Sequence, residues 1–286
     1  MTIAEALKYA SVKLTAAGIS NARLDAEVLL AYELGKDRAW IITHREDTLD
    51  STRQPLFEDA IRRRSRREPL QYITGNQEFW GLDFKVTPAV LIPRPETELL
   101  VETAVEISKG KDPVALVDLC TGSGCIAVSL AKELADARIF ATDMSGQALS
   151  VARENAQRHG VSDRIRFFEG NLFDPLDELD LRGRLDTITA NPPYIPSGDL
   201  PALQPEVRIY EPELALAAGP SGTEVQKSII LTAGEYLKSR GVLIMEMGLG
   251  QAGSLKTAAV DTGSYGSIGI LKDLAGIDRV IVARKK

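Results

Sequence analysis

Residues Asn191-Pro192-Pro193-Tyr194 combine side chains that can hold a planar nitrogen. The asparagine amide offers one acceptor oxygen and the carbonyl of Pro192 offers a second. Each proline ring fixes φ, so the two acceptors can be held at a set angle. Two fixed acceptors match the two N–H groups of a planar –NH2, and Tyr194 adds an aromatic face to stack on such a group. The nitrogen of an amide or aromatic amine is a poor nucleophile because its lone pair is delocalised. Hydrogen bonds accepted from both of its hydrogens raise its electron density and aim it, so catalysis rests on orientation and electrostatics rather than on a strong base. A plainer reading is available: two prolines end a strand because they cannot donate to its ladder, with Asn191 as a cap.

A second group of residues could hold a nucleoside. In "VALVDLCTGSGCIAVSLA" (114–131) an apolar run gives way to a turn of small residues and then to a helical pattern. Gly122 and Gly124 permit a tight turn and close approach of a ligand. Asp143 ends the next predicted strand, 21 residues after Gly122, where an acid can accept from both hydroxyls of a ribose. Gly122-Ser123-Gly124-Cys125-Ile126-Ala127 satisfies the relaxed G-x-G-x-x-G/A dinucleotide pattern, so an NAD enzyme is one alternative. The stretch Asp118-Leu119-Cys120-Thr121-Gly122-Ser123-Gly124 is also similar to the D-x-G-x-G-x-G motif of S-adenosylmethionine (SAM) methyltransferases. Asp118 suits the ammonium group of SAM and would be repelled by a pyrophosphate, which favours SAM. Cys120 stands where the motif has its first glycine; it is expected to avoid a positive φ, so that the turn departs from the all-glycine version. Glu246, in "IMEMG", ends a later strand and either faces the cleft or is a structural carboxylate.

These residues need a sheet edge to bring them together. Strands are expected at 114–119, 138–143, 164–168, 185–190 and 241–247, several continuously apolar as in sheets covered on both faces. Helices are expected at 125–135, 145–159 and 224–239, with His159 a C-terminal helix residue before Gly160 rather than a ligand. The alternation argues for a mostly parallel, doubly wound α/β sheet whose ligands bind at the carboxyl ends of the strands. Before residue 75 the pattern is helical instead. Thr2 and Glu5 form a capping-box signature with Ile3, Leu7, Ala10 and Leu14 on one face. A second helix runs from about Asn21 to Leu34, with Leu24, Val28 and Tyr32 aligned and Gly35 as the stop; a third starts at Asp37, and a fourth spans roughly Thr52 to Arg67. The chain is thus expected to hold a helical bundle at 1–75 able to dock a large substrate, a hairpin-like connector at 76–93, and an α/β domain at 94–286 whose first helix begins near Pro95 with Leu99, Leu100 and Val105 facing inward. "IRRRSRR" (61–67) is either a solvated helix end or a patch for an acidic partner or phosphates.

Composition narrows the class. At 286 residues, 44% hydrophobic and 26% charged, the chain can bury a sizeable core, and its net charge of −6 disfavours non-specific coating of nucleic acid. Cys120 and Cys125 make neither a disulfide framework nor a zinc site, and two distant histidines, His44 and His159, argue against a metal centre. With no leader and no apolar run near the ~18 residues a membrane helix needs, a cytoplasmic protein without membrane contact is expected.

With these motifs in place the chain resembles the release-factor glutamine N5-methyltransferases (HemK/PrmC type). The resemblance covers nearly the whole chain and is carried by "DAEVLLAYELGKDR" (25–38), "RREPLQYITGNQEFWGLDFKV" (66–86), "LIPRPETELLVE" (91–102), "DLCTGSGCIAVSLA" (118–131), "NPPYIP" (191–196), "VRIYEPELAL" (207–216) and "DLAGIDRVIVAR" (273–284). It implies a class I SAM-methyltransferase domain, Rossmann-like, with a seven-stranded, mostly parallel sheet and one antiparallel strand near the C-terminus, behind an N-terminal helical bundle and a β-hairpin. It implies that residues 120–124, Asp143, Asn171 and Leu172 hold SAM, with Asn191 beside its sulfonium, and that S-adenosylhomocysteine is the product. Asn171 stands where relatives often have an acid near the adenine, and Leu172 where some have an aromatic ring. The implied substrate is the glutamine of the Gly-Gly-Gln loop of peptide-chain release factors, its amide held by Asn191 and Pro192, with Pro193 and Tyr194 shaping the pocket. Asn191, Pro192 and Tyr194 are the expected catalytic residues, no metal is expected, and a monomer without stable nucleic-acid binding is the expected state. Because NPPY is shared with adenine N6-methyltransferases of DNA and RNA, that activity is the alternative.

Overall fold

Thr2 accepts a hydrogen bond from the Glu5 N–H while Glu5 returns one to the Thr2 N–H, a capping box that starts α1 (Ile3–Ala16). The computed structural model describes residues 1–110 and 114–286. They divide into two units, Met1–Asn76 with Gln204–Tyr210, and Gln77–Leu203 with Glu211–Lys286.

In the first unit α1 buries Ile3, Ala6, Leu7, Ala10 and Leu14 against α2 (Ala22–Leu34), which Gly35 closes in the left-handed conformation. The aligned Leu24, Val28 and Tyr32 are not the core face of α2. Leu24 is 40% and Tyr32 49% exposed, while Ala22, Ala26, Leu29 and Leu30 are buried. The reason is charge pairing: Asp25 and Glu27 turn inward because Arg64 takes the first and Arg23 and Arg38 take the second. Three shorter helices follow, α3 (Arg38–Thr43), α4 (Gln54–Ser65) and α5 (Leu70–Thr74), the last of them not foreseen from periodicity. The arginine cluster at the end of α4 is largely taken up by carboxylates of the same unit. Arg64 bonds Asp25 at 2.7 Å and Glu206 at 3.1 Å, Arg67 bonds Glu206 at 2.8 Å, and Arg63 bonds Glu68. Glu206 belongs to the segment 204–210, so these arginines bind that segment to the bundle.

The second unit opens on the expected hairpin around Gly81, made of β1 (Asn76–Phe79), whose first residue is the last of the first unit's opening segment, and β2 (Leu82–Lys85), and residues 86–94 continue as loop. A 3₁₀ turn at Pro95–Thr97 leads into α6 (Glu98–Ser108), which buries Leu100, Val101 and Ala104, with Leu99 and Val105 only partly covered. Alternation then runs through β3 (Ala115–Leu119), α7 (Cys125–Glu133), β4 (Arg138–Asp143), α8 (Gly146–Arg158), β5 (Ile165–Glu169) and β6 (Leu185–Ala190). It continues through α9 (Pro205–Tyr210), which lies in the first unit, then α10 (Glu224–Tyr236), β7 (Leu237–Glu246), α11 (Ala252–Asp261), β8 (Tyr265–Lys272) and β9 (Asp278–Lys285). The helix expected to reach residue 239 stops at Tyr236, and β7 begins at Leu237. The seven strands lie in the order β5-β4-β3-β6-β7-β9-β8, with β9 antiparallel to both its neighbours. One apolar cluster lies on each side of this sheet's row of continuously buried strands, as a doubly wound sheet requires.

Register places the chemistry. Leu119 pairs with Thr142 on one side and with Ala190 on the other, and Ala190 pairs with Met245. The next residue of each strand, Cys120, Asp143, Asn191 and Glu246, therefore stands in one row at the carboxyl edge. β3 lies where the strand order reverses, the place where open α/β sheets bind ligands.

Candidate active site

A cleft opens above this row. Its walls include Cys120, Thr121, Gly122 and Ser123 after β3, Asp143, Met144 and Ser145 after β4, and Gly170, Asn171 and Leu172 after β5. Asn191 and Pro193 line it beyond β6, and the segments 89–97 and 212–217 close its far side. The buried Glu211 accepts a hydrogen bond from Arg94 and so ties these last two segments together. Burial pushes the Glu211 carboxyl up, and Arg94 only partly offsets this.

The turn after β3 is built around Asp118. Its carboxyl is fully buried, accepts from the Thr121 hydroxyl at 2.6 Å and from the Thr189 hydroxyl at 2.9 Å, and is pushed up to about 7 by burial despite those bonds. Asp118 thus stands behind the cleft wall and shapes the turn through Thr121; it does not face the cleft as an ammonium partner would. Cys120 adopts φ +55°, the left-handed region it was expected to avoid. With Gly122 at +54° and Gly124 at +78°, the turn keeps the conformation of an all-glycine version. Two backbone bonds hold the turn in place, Thr121 N–H to Thr142 O at 3.0 Å and Gly124 N–H to Thr121 O at 2.8 Å, and these impose on Cys120 a strain of roughly 1–2 kcal/mol. A side chain on Gly124 would meet Ala152 of α8 at 3.0 Å, so this glycine sets the helix spacing and not the cleft wall.

Asp143 accepts the Gly122 N–H at 2.9 Å through one oxygen and the Ser145 N–H at 2.9 Å through the other, leaving a lone pair on each for a ligand. Burial holds its carboxyl above the usual range. The set fits SAM: a paired carboxylate suits ribose hydroxyls, the space in front of Gly122 is open, and Met144 and Leu172 give apolar contact beside Asn171.

At the other end of the row, Asn191 donates from Nδ2 to the Thr97 hydroxyl at 3.1 Å, and Thr97 donates to Glu246 at 2.6 Å. Among the described residues no partner claims Asn191 Oδ1 or the Pro192 carbonyl. The Pro192 ring is buried, and neither Pro192 nor Tyr194 is among the cleft-lining residues. Tyr194 is instead a brace. A Cβ on Gly248 would come within 3.1 Å of its ring, and burial beside Glu246 pushes its hydroxyl up to about 12. Its backbone carbonyl accepts from Gln251 Nε2 at 2.8 Å; the same nitrogen reaches Gly222 O at 2.9 Å while Gln251 Oε1 accepts the Gly248 N–H at 2.8 Å. Thr97, Met144 and Gln251 were not foreseen. Thr97 lay inside the quoted "LIPRPETELLVE", but nothing in its spacing pairs it with a residue 94 positions away. Glu246 does not reach the cleft; it is 2% exposed and acts behind Thr97. Among the described residues no group of three or more His, Cys, Asp or Glu could hold a metal ion, and no helix is long and apolar enough to cross a membrane.

A seven-stranded sheet of this order, with a cleft at its carboxyl edge whose lining fits SAM, is that of a class I SAM-dependent methyltransferase. A solved methyltransferase from Pyrococcus furiosus shares this fold with a TM-score of 0.51 at 16% identity, covering 82% of this chain and 99% of that one. The PrmC N-terminal domain family matches residues 5–75, and the Methyltransferase small domain family matches residues 95–201. The release factor glutamine methyltransferase of Geobacter sulfurreducens is 44% identical over 99% of this chain and 96% of its own length. That of Moorella thermoacetica is 42% identical over 100% of this chain and 99% of its own. The chain belongs to the release factor glutamine methyltransferase family.

Proposed function

We propose that this protein methylates N5 of the glutamine in the Gly-Gly-Gln loop of peptide-chain release factors, using SAM and leaving S-adenosylhomocysteine. The observation that carries this reading is the pair of unclaimed acceptors, Asn191 Oδ1 and the Pro192 carbonyl, one strand away from the cradle of Asp143 and residues 120–124. SAM supplies a methyl group activated on a sulfonium. The chain's residues do the placing. Asp143 holds the ribose, Asn171 accepts from the adenine amino group, and Met144 and Leu172 cover the ring. Asn191 and Pro192 accept the two amide hydrogens and point the nitrogen along the transfer line, with Pro193 in the cleft wall and Tyr194 bracing the turn from behind. As the N–C bond forms the nitrogen gives up one proton, which leaves to solvent.

The helical unit docks the release factor, and the exposed Leu24 and Tyr32 on α2 supply an apolar surface for it. The protein acts as a monomer in the cytoplasm, without stable nucleic-acid contact. Adenine N6-methylation is the weaker reading, because Arg63, Arg64 and Arg67 are spent on carboxylates of their own unit and the net charge is −6. Incubation with labelled SAM and a purified release factor, followed by peptide mapping, tests the proposal. Label on the Gly-Gly-Gln glutamine is expected; label in DNA or RNA only, or none with a SAM-binding enzyme, would sink it.

A further inference from the structure

A carboxamide can serve as an acceptor only if it is the right way round, and Asn191 alone does not settle which end faces the cleft. The chain of bonds behind it does. Glu246 is an acceptor when ionised, so the single hydroxyl proton of Thr97 goes to it at 2.6 Å. The Thr97 oxygen then has only lone pairs to offer, and it meets Asn191 at 3.1 Å. An NH2 group satisfies that contact. The flipped amide would set two oxygens against each other and lose a hydrogen bond in a site where Thr97 is 1% and Glu246 2% exposed.

We propose that Thr97 and Glu246 are positioning residues that lock the Asn191 carboxamide with Oδ1 toward the substrate nitrogen. The proposal rests on the amide-methylation reading above and adds to it the source of the acceptor's orientation. The far end of the relay is pinned. Glu246 pairs with Val280 of β9, and its carbonyl accepts from Gln226 at 3.1 Å. Thr97 sits in the 3₁₀ turn before α6, buried between β7 and the residue after β6. The groups facing the Glu246 carboxyl are Arg279 from β9, Glu96 from the 3₁₀ turn, the Tyr194 hydroxyl from the loop after β6, and the Cys125 thiol from the start of α7. This carboxyl is pushed up to about 7, chiefly by burial and also by Glu96, with Thr97, Arg279 and Tyr194 pulling the other way. Once protonated, Glu246 can donate as well as accept. The direction of the relay is then no longer imposed, and the charge-assisted bond to Thr97 is weakened.

Thr97→Val removes the hydroxyl at nearly constant shape, and Thr97→Ser keeps it. On a release factor, Thr97→Val is expected to lower kcat by about 10- to 100-fold with SAM affinity within about threefold, while Thr97→Ser stays within about threefold in kcat. Unchanged turnover in Thr97→Val, or an equal loss in both variants, overturns the proposal. NMR on the free protein gives a readout that needs neither turnover nor a variant. The Glu246 carboxyl carbon is expected to titrate with a midpoint near 7, and the Asn191 side-chain NH2 signals to shift with the same midpoint. An Asn191 amide indifferent to the Glu246 titration overturns the relay. A wild-type enzyme that transfers no methyl to release factor would sink the functional reading instead, and the coupled titration would still decide the positioning.

Discussion

Asn191 shows how much chemistry one residue type can carry and how little of it is intrinsic. The side chain offers an oxygen and an NH2 to any neighbour, and only the Thr97 hydroxyl at 3.1 Å assigns them. Asn191→Ala removes the acceptor while leaving β6 and the cradle in place. A loss of about 100- to 1,000-fold in kcat is expected, the cost typical of deleting one preorganised transition-state contact. SAM affinity measured by calorimetry should change little, and near-normal turnover would contradict the acceptor role. The same scale holds the clearest mismatch between residue type and position. Cys120 sits at φ +55° although it carries a Cβ, because the bonds that fold the turn are worth more than the strain. Residue identity alone predicts the opposite, since a local preference of this size is easily outweighed by tertiary hydrogen bonds.

At the scale of elements, strand ends were legible and their partners were not. The strands expected at 138–143 and 185–190 became β4 and β6 with those limits. Residues 252–285 were not resolved into elements by periodicity. α11 buries little more than Leu255 and Ala259, and β8 is largely exposed, so neither carries a strong apolar pattern. On α2 the stripe Leu24–Val28–Tyr32 has helical spacing yet faces outward, because paired carboxylates occupy positions that hydrophobicity reserves for solvent. Arg64 is the counterpart of this inversion. It is nearly buried between Asp25 and Glu206, and Arg64→Met would leave both carboxylates without it. A loss of roughly 3–5 kcal/mol is expected for the helical unit by denaturant titration. Faster amide exchange is expected at 204–210; protection there equal to wild type would show that the arginine does not hold the segment.

For the whole molecule the telling quantity is proton balance. Asp118 and Glu246 are raised to about 7 from ordinary values of 3.8 and 4.5, so between about pH 4 and 7 the folded chain keeps protons that the unfolded chain has released. Stability attributable to these two groups therefore falls as pH rises through that window, by on the order of a few kcal/mol, and is level below and above it. Denaturant midpoints of the protein without ligand at about pH 5.5 and pH 8 check this, with Glu246→Gln expected to reduce the difference; an equal difference in the variant would count against it. What the sequence by itself determined was the alternation of an α/β sheet, the strand-ending turns at 120–124 and 191–194, and, through resemblance, the class of chemistry they serve. These are local properties, written in periodicity, glycine spacing and proline rigidity. Only the tertiary structure decided that Asp118 lies behind the cleft, that segment 204–210 joins the helical unit, and that Thr97 and Glu246 stand in a hydrogen-bonded line behind Asn191. Each of these depends on contacts between residues far apart in the chain, and such contacts exist only once the sheet has set its register.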